Sequence, residues 1–292
     1  MNARAWAYGA DGGLRASWRI LIFVAATFLC AVAAALIAGP LVAYLYGIIG
    51  LRVSSDGWVL VVALLLAHRF MLRLDKNASW SQVGLDRHAA RPALLARGFL
   101  FGALAIGAPI LLLIAAGWLK WIPGVRASWG AAAFRISMVL IPAALYEELA
   151  TRGYVFATIR DSLGARWALV ITSVAFGLLH LWNPGASVES IALVILAGLF
   201  LGGILVATGS LYAAWMAHFA WNWTMAVVFH IAVSGWPFES PDYRYVDSGP
   251  DWVTGGAWGP EGGAAGGLGM LGVGVYLYAR YARRNSRRRE DS

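Results

Sequence analysis

The chain has 292 residues, 60% hydrophobic and only 13% charged, with a formal net charge of +8 and a mean hydropathy of +0.66. An average soluble domain carries roughly 25% charged residues, so the composition excludes a soluble globular protein and points to an integral membrane one. The basic excess calls for no nucleic acid, because arginines flanking apolar runs hold a membrane protein against anionic lipid and no base-stacking or groove-reading motif accompanies them.

A crossing of the ~30 Å hydrocarbon core needs about 20 apolar residues in a helix, and the sequence predicts eight such spans in an all-α bundle. The first runs from Trp18 to Tyr46, interrupted by Gly39-Pro40. Ala31-Val-Ala33 resembles a signal-peptide cleavage site, but the apolar character continues well past it. The second span is read over Trp58 to Leu72, the third over Leu94 to Leu119, the fourth over Phe134 to Ile159 and the fifth over Trp167 to Trp182. The sixth covers Ile191 to Ala207, the seventh Leu211 to Val233, and the eighth, glycine-rich and weakest, Gly263 to Tyr281. The single cysteine, Cys30, allows no intrachain disulfide.

Charge placement orients these spans. With both termini in the cytoplasm, Arg4, Arg15 and Arg19, the group from Arg69 to Arg97, Arg160 and Arg166, and the tail from Arg280 to Arg289 all fall inside. The acidic joint with Glu239, Asp242, Asp247, Asp251 and Glu261 falls outside, in agreement with the positive-inside rule. The expected organisation is three N-terminal spans over 1–133 and a core of four spans over 134–233. An extracytoplasmic loop follows over 234–262, and a last span with a basic tail over 263–292. The expected location is the plasma membrane if the source is bacterial.

Glu147, Glu148 and Arg152 interrupt the fourth span. Each charge in hydrocarbon costs about 3 kcal/mol on insertion scales, so three together need a reason. Residues four apart share a helix face, so Glu148 and Arg152 are expected to pair while Glu147 points elsewhere, toward a cavity where it acts as a base for water. These three charges alone fit a buried ion network, a transport pathway or a catalytic site about equally. His180 closes the fifth span, and His218 and Asn222, four residues apart, occupy the seventh. A carboxylate base, two imidazoles and an amide suffice to activate a water and stabilise an oxyanion.

Glu147-Glu148-x-x-x-Arg152, Phe176-x-x-x-His180 and His218-x-x-x-Asn222 resemble the three motifs of the CAAX protease and bacteriocin-processing family of intramembrane endopeptidases, CPBP or Abi, which includes type II CAAX prenyl endopeptidase. The resemblance runs from about Phe134 to Val233, and Trp80-Ser-Gln-Val-Gly-Leu85 looks like a segment often preceding that domain. It implies an eight-helix membrane hydrolase with its motif residues around an intrabilayer cavity. Glu147 corresponds to the glutamate that activates water, and His180 to a histidine beside that water. His218 and Asn222 match the pair that completes water binding and holds the oxyanion, with Glu148 and Arg152 as the supporting ion pair. The implied partners are membrane lipids and a membrane-associated protein or peptide substrate. The cofactor reading stays open between a divalent metal such as zinc, held by Glu147, His180 and His218 as in a metalloprotease, and none; no His-Glu-x-x-His helix is present.

Three rival classes remain: an ion- or proton-coupled transporter, a non-catalytic immunity or scaffold protein of the same fold, and a lipid-modifying enzyme. His230 is expected about 18 Å along the helix from His218, too far to join the site. His68 is read as interfacial, His88 as a loop residue, and Arg135 as snorkelling at the outer end of the fourth span. Gly98-x-x-x-Gly102 and Gly198-x-x-x-Gly202 are read as intramolecular packing motifs. Straight spans with these boundaries place His180 about 10 Å or more from Glu147 and His218.

Overall fold

The computed structural model describes residues 7–8, 12–75, 78–238 and 241–290, with side chains in the last helix described through residue 279. Arg4, Lys76 and Glu239, and the side chains of the tail from Arg280 onward, lie outside the described residues. The chain is mostly helical. Its helices are α1 (Ala16–Ile48), α2 (Asp56–Leu74), α3 (Pro92–Ala115), α4 (Trp129–Arg152), α5 (Tyr154–Leu163), α6 (Ala165–Leu179), α7 (Val188–Thr208), α8 (Leu211–Trp223), the single turn α9 (Asp251–Thr254) and α10 (Ala264–Glu290). Among the described residues, α1, α2, α3, the α4–α5 segment and α7 are long and apolar enough to cross a membrane. The sequence predicted eight spans; α6 and the apolar part of α10 are helical but shorter.

The departures have local causes. The predicted fourth span is broken at Gly153, where the Tyr154 N–H is accepted by the His68 Nε2 at 2.9 Å. A Cβ on Gly153 would stand 2.1 Å from that nitrogen. His68 is therefore not interfacial: it is fully buried, its Nδ1–H donating to the Leu64 carbonyl at 2.7 Å. The predicted third span ends early, at Ala115, because Gly117 turns the chain at φ +74°. The fifth ends at Leu179, ahead of Asn183-Pro184. The seventh ends as α8 at Trp223, passing through one π-helical turn, Thr224–Val228, into irregular chain.

A small antiparallel ribbon also qualifies the all-α expectation. β1 (Leu119–Pro123) pairs with β2 (Tyr243–Asp247), Leu119 opposite Asp247 and Pro123 opposite Tyr243. The 234–262 segment is thus more than a joint: it carries β2 and α9 and buries Trp258 and Glu261.

Hydrogen bonds define the two ends of the bundle. At one end Arg19 pairs with Asp75, Arg160 donates to the Gln82 carbonyl at 3.1 Å, and Ser210 donates to the Ala89 carbonyl at 2.6 Å. At the other, the Gly124 N–H donates to Asp242 at 2.8 Å and Asn183 donates to the Ser234 carbonyl at 3.1 Å.

At the centre, α3 and α8 meet through the paired glycines. A Cβ at Gly98 would lie 2.1 Å from the Ala213 carbonyl oxygen, and one at Gly102 would lie 1.9 Å from that of Ala217. Gly198 and Gly202 of α7 seat likewise against Ser173 and Leu169 of α6. Both motifs make intramolecular contacts, and each serves a helix that carries a site residue. Gly102→Ala is expected to push α8 outward at the cost of about 1–3 kcal/mol. Gly130→Ala, where nothing lies within 4 Å, is the neutral control in detergent melting curves.

Candidate active site

α4 brings the charged triplet into the bundle. Ser128 caps the helix by accepting the Ala131 N–H at 3.3 Å. Further on, Pro142 has no N–H, which releases the carbonyl four residues earlier. That carbonyl, of Met138, is met by the Tyr46 hydroxyl at 3.4 Å. The Trp215 indole N–H of α8 donates to the neighbouring Ile141 carbonyl at 3.0 Å. α4 is thereby fixed against α8 just before the two glutamates.

Glu148 and Arg152 are fully buried, their side chains at 0% exposure, and 3.2 Å apart. Arg152 also donates to the Thr151 hydroxyl at 2.7 Å and, from its second terminal nitrogen, to the Gly198 carbonyl at 3.1 Å. Its guanidinium carbon sits 4.2 Å from the centre of the Phe176 ring. Phe176 and Gly198 bring α6 and α7 into this network, so the cation joins three helices. Sequence spacing indicated the Glu148–Arg152 pair; the Phe176 face, Thr151 and Gly198 as its other partners were not foreseen.

Glu148 also receives His218, whose Nδ1 is 3.0 Å from the Glu148 Oε1. With Nδ1–H donated to a carboxylate, the neutral ring turns the lone pair of Nε2 toward the cavity. His180 is set in the same way: its Nδ1 lies 2.8 Å from the Phe176 carbonyl, which can only accept. Both free Nε2 atoms converge on Glu147, His218 at 3.7 Å and His180 at 3.9 Å from its Oε2. That oxygen is buried and has no hydrogen-bond partner, although the Glu147 side chain is 24% exposed.

The structure therefore brings Glu147, Glu148, Arg152, His180, His218 and Asn222 together. The expected separation of His180 does not occur: its Nε2 lies 3.9 Å from the Glu147 Oε2, at the C-terminal cap of α6. His230 stands apart, its Nδ1 bonded to the Tyr243 carbonyl at 2.6 Å and its ring stacked on Tyr243.

A cavity of about 580 Å³ opens in front of Glu147, lined by α4 from Val139 to Thr151, by His180, His218 and Asn222, and by the 233–238 segment. Tyr146, whose hydroxyl interacts with Glu147, also lines it. A second chamber of about 30 Å³ lies behind the imidazoles and includes Asn222, Ser234 and Glu261. The motifs gave no hint of Ser234 or Glu261; Glu261, expected only as one of the acids of the outer joint, is buried at this chamber.

The donor types in front of Glu147 are those of a zinc site, two imidazoles and a carboxylate. As they stand, however, no group of three His, Cys, Asp or Glu side chains among the described residues is placed to hold a metal ion.

Fold and site together define a class: a polytopic helical membrane protein with a carboxylate and two imidazoles facing an internal cavity. Residues 129–224 match the family model of type II CAAX prenyl endopeptidase, Rce1-like, as the three motifs indicated. The match covers a third of the chain, includes all six motif residues, and supports a protease of the CAAX type in an integral membrane setting. No match was found among curated proteins or among solved structures.

Proposed function

We propose that this protein is an intramembrane endopeptidase in which Glu147 activates water for attack on a peptide bond. The observation that carries this reading is the division of labour between adjacent glutamates. Glu148 is committed to Arg152 and His218, whereas the Glu147 Oε2 faces two imidazole nitrogens at the wall of a substrate-sized cavity. A water between these groups donates one proton to Glu147 while its oxygen attacks the carbonyl carbon. The gem-diolate oxyanion then forms on the side of the cavity that Asn222 lines, where its amide N–H can donate to the oxyanion while the imidazole Nε2 atoms orient the attacking water. Collapse breaks the C–N bond, and the proton held by Glu147 passes to the leaving amine. The eight-helix arrangement, cytoplasmic termini and a membrane-associated peptide substrate belong to the same reading.

The competing assignment is a proton-coupled transporter using the same charges. The two separate on one comparison: membrane-protein fragments quantified in cells carrying wild type or Glu147→Gln, with proton flux measured in parallel in proteoliposomes. Fragments that require Glu147 are expected. Identical fragment profiles together with a flux lost in the variant would replace the protease by a transporter.

A further inference from the structure

Glu261 lies outside the segment matched by the family model, in the link between the ribbon and α10, and it is 8% exposed. A carboxylate is costly to bury unless it is fully bonded, and this one is met by three donors. The Trp221 indole N–H donates to its Oε2 at 2.8 Å. Ser234 donates to its Oε1 twice, from the backbone N–H at 2.5 Å and from the hydroxyl at 2.6 Å. Trp221 stands on α8 between His218 and Asn222, so Glu261 ties the irregular 231–236 strand to the helix that carries two of the six motif residues.

The strand is fixed on its other side as well. The Gly235 N–H donates to the Trp258 carbonyl at 3.0 Å, and a Cβ on Gly235, which has φ +82°, would fall 2.0 Å from the Pro184 carbonyl oxygen. Ser234 borders both cavities: the large one in front of Glu147 and the 30 Å³ chamber behind the imidazoles. A buried water needs about 10–15 Å³ and two to four polar partners. The chamber offers room for one or two, with His180, His218, Asn222, Ser234 and Glu261 on its walls.

We propose that Glu261 is a positioning residue that holds Ser234 against α8, closing a water chamber that feeds the Glu147 side of the site. This inference rests on the endopeptidase reading. Glu261 touches neither substrate nor the attacked carbonyl; it acts through Ser234 and Trp221.

The test compares full-length wild type, Glu261→Gln, Glu261→Asp and Glu147→Gln in detergent, with an internally quenched farnesylated CAAX peptide as probe. Hydrogen exchange of the 231–236 segment is followed in the same preparations. Gln keeps the volume but cannot accept all three bonds. The expected result is faster exchange at Ser234 and a kcat lower by about 10²-fold, the scale of a sub-ångström to 1 Å misplacement, with KM changed less than about twofold. Glu261→Asp is expected to recover part of kcat, which a generally loosened fold would not. If Glu261→Gln does not accumulate, Trp221→Phe and Ser234→Ala each remove a single bond and are expected to lower kcat by about 2–10-fold. Unchanged exchange and unchanged kcat in these variants overturn the tether. Cleavage that is absent from wild type or indifferent to Glu147→Gln overturns the endopeptidase reading and the catalytic part of this assignment, while the exchange measurement still decides the tether.

Discussion

Glu147→Gln is expected to lower cleavage by about 10²–10⁴-fold, the contribution of a positioned general base, without loss of thermal stability. The stability half of this expectation follows from the geometry. The Glu147 Oε2 has no hydrogen-bond partner and the side chain is partly open to the cavity, while the amide oxygen of glutamine can still accept from the Tyr146 hydroxyl that interacts with Glu147. Glu148→Gln is the informative contrast. It weakens contacts to both Arg152 and His218 and is expected to lower both activity and melting temperature. Initial rates on the quenched peptide and tryptophan-fluorescence melting would check the pair. A Glu147→Gln protein cleaving within about tenfold of wild type would remove Glu147 from the role of base.

Arg152→Met is expected to have the largest effect on stability. It leaves Glu148 fully buried beside His218 with its cation gone, and breaking one side of a buried ion pair typically costs about 3–5 kcal/mol. The Thr151 hydroxyl and Gly198 carbonyl also lose their donor. Lysine is not expected to rescue, because an ammonium has neither the planar fork that serves three acceptors nor the flat face that lies on Phe176. The double variant Glu148→Gln with Arg152→Met removes both charges and is expected to melt above Arg152→Met alone. If the double variant is the less stable of the two, the pair is not coupled as its geometry indicates, and the double-mutant cycle reads that directly.

Much of the fold was legible because bilayer thickness imposes a length on every crossing helix. Apolar runs located α1, α2 and α7 closely, and glycine spacing marked the α3–α8 and α6–α7 contacts. Helix periodicity made the Glu148–Arg152 and His218–Asn222 pairings legible, whereas the grouping of all six residues came from the resemblance of the three motifs to a known family. The breaks were harder to see. Hydropathy continues through Gly153, and only the ring of His68, 85 residues earlier, explains why the helix stops there. His68 was misread for the same reason: its neighbour Arg69 suggested an interface, whereas its partners come from α5. Glu261 is separated by some forty residues from Trp221, and no local pattern connects them.

The short α6 has a consequence for the lipid. Fifteen residues rise only about 22 Å, well short of a ~30 Å hydrocarbon core. Trp182, 83% exposed, follows two residues after His180 and suits the headgroup level. A wall too short for its bilayer is accommodated by thinning of the adjacent leaflet, which lowers the aqueous boundary on that flank toward His180. On the endopeptidase reading, such thinning would shorten the path of water to the reacting groups. The protein's activity would then vary with acyl-chain length, so the thickness of the host membrane becomes a determinant of turnover alongside the side chains themselves.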